Sequence, residues 1–147
     1  LRVVGRRGRR TPELQRAIRD LGLTERVELL DAVDTAQLDH LMDRSLALIS
    51  SSWMEGFDYP VLEAMAQGIP CLISDIPVHR ELYRDAALLF DLQDSGEDLA
   101  ESLEDLMRDQ LLWSELSTLG IDKAYEFSLE RQQQAILDVI DEFSSRG

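Results

Sequence analysis

Glu55-Gly56-Phe57-Asp58-Tyr59-Pro60-Val61-Leu62-Glu63, running on through Ala64-Met65-Ala66-Gln67 to Gly68 and Pro70, sets one carboxylate in a loop and a second inside the helix that the loop enters. Pro60 has no N–H to lose and a pre-set φ, so it fits the opening of a helix. Asp58, two residues earlier, is placed to accept from first-turn amides as a cap. Gly68 and Pro70 end the helix at about Gln67. Val61, Leu62, Ala64, Met65 and Ala66 make it small or apolar nearly all round, the composition of a helix buried between a sheet and another surface. Glu63 is its one charge. Two acids flanking a helix N-terminus suit a hydroxyl-rich ligand whose anionic part sits on free backbone N–H groups. The same spacing also fits a Glu63 on a solvent-facing stripe and a Glu55 that is an ordinary loop acid.

Around this helix the pattern alternates. Short apolar runs predict strands at 1–5, 26–30, 46–50, 70–74 and 87–90, each suited to a parallel sheet buried on both faces. Helices are expected at roughly 12–22, 35–44, 59–68 and 78–83. Strict alternation of this kind implies βαβ units and a Rossmann-like, doubly wound parallel sheet flanked by helices. From about residue 95 to 147 the chain reads as an all-helical extension, with helices at 96–109, 111–118 and 128–144. The last of these carries Ile136, Leu137, Val139, Ile140 and Phe143 on one face.

At 147 residues and 44% hydrophobic, the sequence can bury one good core, so a single domain over 1–147 is expected. It begins at Leu1, already inside an apolar run, which predicts that it starts partway through a larger protein. A net charge of −14 argues against nucleic acid as a partner. The charge is unevenly spread: residues 1–20 hold seven arginines against Glu13 and Asp20, a net of +5, which leaves −19 for the remainder. The arginine run from Arg6 to Arg10 follows a strand and precedes a helix, the edge where ligands bind in open α/β sheets. It matches neither Gly-rich phosphate motif. It reads as a solvated loop, with Arg6 and Arg7 the candidates for an anionic donor or a membrane headgroup.

Few other residues offer chemistry. Cys71, alone in the sequence, falls in an apolar strand and reads as a small buried hydrophobe, which leaves neither a disulfide nor a zinc site. His40 and His79 lack acidic or thiol companions at ligand spacing and read as surface or helix-end residues. Lys123 is the only lysine and lies in a helical stretch, against a receiver domain. Ser50-Ser51-Ser52 has no nucleophile elbow around it, against a hydrolase. No transmembrane run or signal peptide is visible, so a cytoplasmic protein is expected.

The segment from Glu55 resembles the E-x7-E signature of the retaining family 4 glycosyltransferases, commonly E-G-F-G-x-P-x-x-E-A-M-A-x-G-x-P-V. The likeness extends along the chain through Leu21-Gly22-Leu23, Arg26-Val27-Glu28, Ser74-Asp75-Ile76-Pro77, Arg80-Glu81, the run from Asp85 to Asp91, and Phe127-Ser128. It implies the C-terminal, donor-binding domain of a GT-B enzyme that moves a hexose from a nucleoside-diphosphate sugar to a glycan or lipid-linked acceptor. The acceptor would be held mainly by a separate N-terminal domain. The resemblance also places an Arg and a Lys that neutralise the diphosphate in a first strand and helix of this same domain, expected upstream of Leu1, so this chain alone is expected to be inactive. Full-length relatives of this kind can associate peripherally with the inner face of the membrane.

The resemblance also assigns roles. Glu55, with the N–H groups of Gly56 and Phe57, would hold hydroxyls of the transferred sugar and serve as the catalytic positioner. Glu63 would bind the ribose. The N–H groups of Asp58, Tyr59 and Val61 would face the diphosphate, and Val33 would lie at the nucleobase. No cofactor and no metal is implied. One position departs from the pattern: Asp58 stands where Gly or Ser is usual. A carboxylate there repels a diphosphate, costing on the order of 1 kcal/mol unless a cation offsets it. It either turns away to cap or bind a sugar hydroxyl, or marks a different grip on the donor. The alternative is a non-catalytic Rossmann-like interaction module that has lost turnover.

Overall fold

A computed structural model describes residues 1–144; the final three residues of the expected helical tail lie outside the described residues. The chain divides into two compact units, Leu1–Leu41 and the stretch from Met42 onward. Each has its own parallel ladder, so the hydrogen-bonded strands form two sheets where the sequence suggests one.

In the first unit β1 (Arg2–Val4) pairs in parallel with β2 (Glu28–Leu30), joined by α1 (Thr11–Asp20). Arg2 and Glu28 face each other in register and their side chains pair at 3.1 Å. All three residues of β1 are exposed, unlike the both-faces burial its apolar sequence suggests; β2 is its only strand partner among the described residues. α2 (Thr35–Asp43) opens with a capping box, in which the Asp34 carboxylate accepts from Gln37 N–H at 2.8 Å and the Gln37 side chain accepts from Asp34 N–H at 3.2 Å.

The second unit holds a three-stranded parallel sheet in the order β3 (Leu48–Ser50), β4 (Cys71–Ser74), β5 (Leu88–Phe90). The crossovers are α3 (Tyr59–Ala66) and α4 (Pro77–Leu82). β4 is central and wholly buried. Leu72 packs there with Phe90, Leu106 and Leu116, the last two from α5 (Glu97–Arg108) and α6 (Gln110–Glu126). Asp109 caps α6 by accepting from Leu111 and Leu112 N–H groups. The parallel α/β sheets, flanking helices and helical C-terminal part are those the sequence predicts.

One boundary differs. α6 runs on through Gly120 to Glu126, past the expected end at Thr118. A Cβ on Gly120 would lie 3.3 Å from Met65 Cγ and 3.5 Å from Met65 Cα, so the glycine lets α6 come directly against α3. Packing gained there outweighs the roughly 1 kcal/mol of helix propensity that glycine forfeits. α7 (Leu129–Ser144) has no buried residue, and its Ile136, Leu137, Val139, Ile140 and Phe143 are all exposed.

Candidate functional site

α3 ends at Gln67 because Gly68 takes a left-handed φ of 71° and closes a Schellman turn, Ile69 N–H to Ala64 carbonyl and Gly68 N–H to Met65 carbonyl, both 2.9 Å. A side chain at Gly68 would also meet Ser117 Oγ at 2.9 Å. The C-terminal end of α3 is thus fixed by α6. Its N-terminal end is fixed differently. Asp58, the residue before the helix, has φ 65° and ψ 67°, the left-handed region that Asp enters more readily than most side chains. In that conformation its carboxylate makes no cap to the first turn. It turns inward and is almost fully buried, accepting from Ser50 Oγ–H at 2.5 Å and lying 3.0 Å from His79 Nε2.

The capping role expected for Asp58 is therefore corrected, and so is the surface position expected for His79, which is wholly buried. His79 lies in α4, twenty-one residues from Asp58 in sequence. Its Nδ1 sits 2.8 Å from the Ser74 carbonyl and 3.3 Å from Ser74 Oγ, whose hydroxyl donates to the Ser52 carbonyl at 2.6 Å. This chain of bonds ties β3, β4, α4 and the loop 51–58 together. Tyr83 adds a further tie by donating its hydroxyl to the Phe57 carbonyl at 2.8 Å. The Phe57 ring lies 4.9 Å from that of Tyr59 and 5.2 Å from that of Phe127.

The loop carries Glu55 at the surface, where Ser52 Oγ–H donates to its carboxylate at 2.7 Å. Gly56 and Tyr59 are exposed and Phe57 is half-buried. The N–H groups of Gly56, Phe57, Asp58 and Tyr59 find no acceptor among the described residues. Val61 N–H, by contrast, donates to the Asp58 carbonyl at 3.1 Å, and its side chain is fully buried. Glu63 projects from α3 at the surface and makes no side-chain bond to the described residues. The structure thus places both acids of the E-x7-E pair at the surface around a helix N-terminus with open amides. Val33, half-buried between β2 and α2, belongs to the first unit. In that unit Arg6 and Arg7 line a cleft at the C-terminal end of β1 with Thr11 and Gln15, and Arg7 lies 3.4 Å from Asp31.

Cys71 is buried beneath this site, its thiol near the carbonyls of Ile69 and Val61. Burial, and to a lesser degree the Asp58 carboxylate, pushes the thiol up to about 12 from 9.0. The same two causes, in the same order, raise the Tyr83 hydroxyl. The unfolded chain therefore ionises Cys71 first, so stability should fall as pH rises from about 9 towards 12. A thiol reagent should label Cys71 only as the protein unfolds, a result readable by following labelling alongside circular dichroism through a urea titration.

Comparison with known proteins agrees with this architecture. The family described as glycosyl transferases group 1 matches residues 1–126. The chain is 40% identical over 75 residues to the O-antigen chain mannosyltransferase RfbU of Salmonella typhimurium, covering 51% of this chain and 21% of that protein. It is 32% identical over 105 residues to O-antigen chain mannosyltransferase B of Escherichia coli, covering 71% and 27%. Among solved structures, Anabaena Alr3699/HepE in complex with UDP and glucose superposes with a TM-score of 0.83 at 21% identity, over 96% of this chain and 40% of that one. WaaG, a glycosyltransferase involved in lipopolysaccharide biosynthesis, gives 0.72 at 21% identity over 84% and 33%. The structural likenesses establish the fold. The chain spans about a quarter of the length of the two curated relatives. With the family matched from residue 1 to residue 126, across both units, the chain belongs to the glycosyl transferases group 1.

Proposed function

We propose that this chain is the donor-binding half of a retaining family 4 glycosyltransferase, acting in polysaccharide biosynthesis with a nucleoside-diphosphate hexose as donor. The observation that carries the reading is the pair Glu55 and Glu63, both exposed, on either side of a helix N-terminus whose leading amides are open. Those amides and the α3 dipole suit a diphosphate and the charge that builds on it as the sugar leaves. Glu55, steadied by Ser52, is set to hold sugar hydroxyls with Gly56 and Phe57 N–H. Glu63, with no partner of its own among the described residues, is free to accept from ribose hydroxyls. Val61 N–H, already on the Asp58 carbonyl, reaches a phosphate only as a bifurcated donor. Val33 is assigned to the nucleobase. Retention follows if the acceptor attacks from the leaving-group face while the departing phosphate takes its proton. Glu55 is then a positioner, and no metal takes part.

Replacing Glu63 with alanine should weaken nucleoside-diphosphate binding by about 1–3 kcal/mol, the usual size for a lost charged hydrogen bond. Titration calorimetry with UDP, GDP and ADP reads this directly. Equal binding by wild type and variant would remove Glu63 from the site.

The acceptor is assigned to a preceding domain, and the basic pair that completes the diphosphate site to a further strand and helix of the donor domain. This chain alone should therefore bind donor without transferring sugar. Transfer of a labelled sugar by the isolated chain, free of full-length enzyme, would contradict the assignment. The exposed apolar face of α7 fits a helix whose cover lies in that other domain. No helix among the described residues is long and apolar enough to cross a membrane; a cytoplasmic enzyme with peripheral attachment is the reading adopted.

A further inference from the structure

The hydrogen-bond geometry around His79 fixes a proton count. Nδ1 faces only acceptors: the Ser74 carbonyl at 2.8 Å and Ser74 Oγ at 3.3 Å, whose own hydrogen is committed to the Ser52 carbonyl. Nδ1 therefore carries a hydrogen. Nε2 faces Asp58 Oδ2 at 3.0 Å, and the Ser50 hydroxyl hydrogen is directed at the same oxygen. Two bare lone pairs at 3.0 Å inside the protein would repel, so one further proton lies between Nε2 and the carboxylate. Imidazolium with carboxylate, or imidazole with carboxylic acid, gives the pair the same net charge of zero.

Asp58 also leads into α3, and its own N–H and that of Tyr59, the first helical residue, have no acceptor among the described residues. A lone carboxylate at that place would oppose an anion docking there. We infer that His79 is a buried positioning residue that cancels the charge of Asp58, so that the left-handed turn at Asp58 can shape the α3 N-terminus without repelling the donor diphosphate. The inference rests on the reading of α3 as the diphosphate dock. Two demands meet at residue 58. The backbone needs a residue tolerant of φ 65°, and Asp meets that need while bonding Ser50 and His79. The pair locks the loop through β3 and α4, and its neutrality keeps the lock compatible with a phosphate ligand.

The test uses the full-length protein and its tightest-binding nucleoside diphosphate among UDP, GDP and ADP, compared with the corresponding nucleoside. H79Q keeps a side chain able to donate to Asp58 and removes the cancelling proton. It should bind the diphosphate about tenfold more weakly, the scale of one partly screened charge, and the nucleoside as well as wild type does. D58N removes the carboxylate while Asn tolerates the left-handed turn, and it serves as the reference for the double variant. H79Q with D58N should restore diphosphate affinity to within about twofold of wild type, which repair of packing alone would not do. An H79Q variant that binds the diphosphate normally, that loses the nucleoside equally, or that D58N fails to restore would overturn the inference. If H79Q does not fold, a folded double variant with wild-type affinity supports it and a folded but weak one overturns it. A wild type with no preference for diphosphate over nucleoside would instead sink the reading of α3 as the dock, and the inference with it.

Discussion

Replacing Glu55 with alanine in the full-length enzyme should lower sugar transfer by roughly 100-fold or more while leaving affinity for the bare nucleoside diphosphate nearly unchanged. Glu55 precedes α3 and is held at the surface by Ser52, beyond the open amides assigned to the phosphates. On the proposed assignment its ligand contacts are to the transferred hexose. Loss of a group that orients the reacting sugar acts on turnover, since small misplacements of reacting atoms carry rate penalties of about that size. Initial rates with labelled donor, read beside calorimetry with the nucleotide, separate the two effects. Normal turnover, or a loss of nucleotide affinity as large as that of Glu63→Ala, would break the division of labour between the two acids.

Leu72→Ala should cost about 2–5 kcal/mol of stability, a large share of the roughly 5–15 kcal/mol that holds a domain folded. Leu72 is fully buried in the central strand β4, packed on Phe90, Leu106 and Leu116, so its removal leaves a cavity bounded by one strand and two helices. Urea denaturation followed by circular dichroism should show a lower midpoint with an unchanged slope. A midpoint shift under about 0.5 kcal/mol, the scale of a surface change, would show that the core is centred elsewhere.

The strands and crossover helices were legible because apolar runs alternate with strong punctuation. Gly68 and Pro70 mark the end of α3, and Pro60 marks its start. The E-x7-E spacing was legible too, since both acids belong to one loop-helix segment. The end of α6 was expected at Thr118, whereas the structure carries the helix on and uses the missing side chain of Gly120 to seat it on Met65. His79 misled for a different reason. Nothing near it in sequence is a partner of opposite charge to which it bonds; that partner, Asp58, comes from the other side of β4 in chain order. Asp58 in turn reads as a cap because Asp before a helix usually is one. The left-handed backbone that turns its carboxylate inward leaves one trace in the sequence, an Asp where the related pattern has Gly.

β1 shows the reverse case. Its apolar run predicted burial on both faces, yet Arg2, Val3 and Val4 are all exposed. Apolarity reports what a strand could bury, and burial itself depends on which elements reach it.

A crystal structure of the protein with its preferred nucleoside diphosphate tests the central claim most directly. The account predicts the diphosphate oxygens within hydrogen-bonding distance of the Asp58 and Tyr59 N–H groups, and the ribose hydroxyls on the Glu63 carboxylate. A diphosphate bound elsewhere, on the arginines between Arg6 and Arg10 for instance, with Glu63 left without a ligand contact, would contradict it.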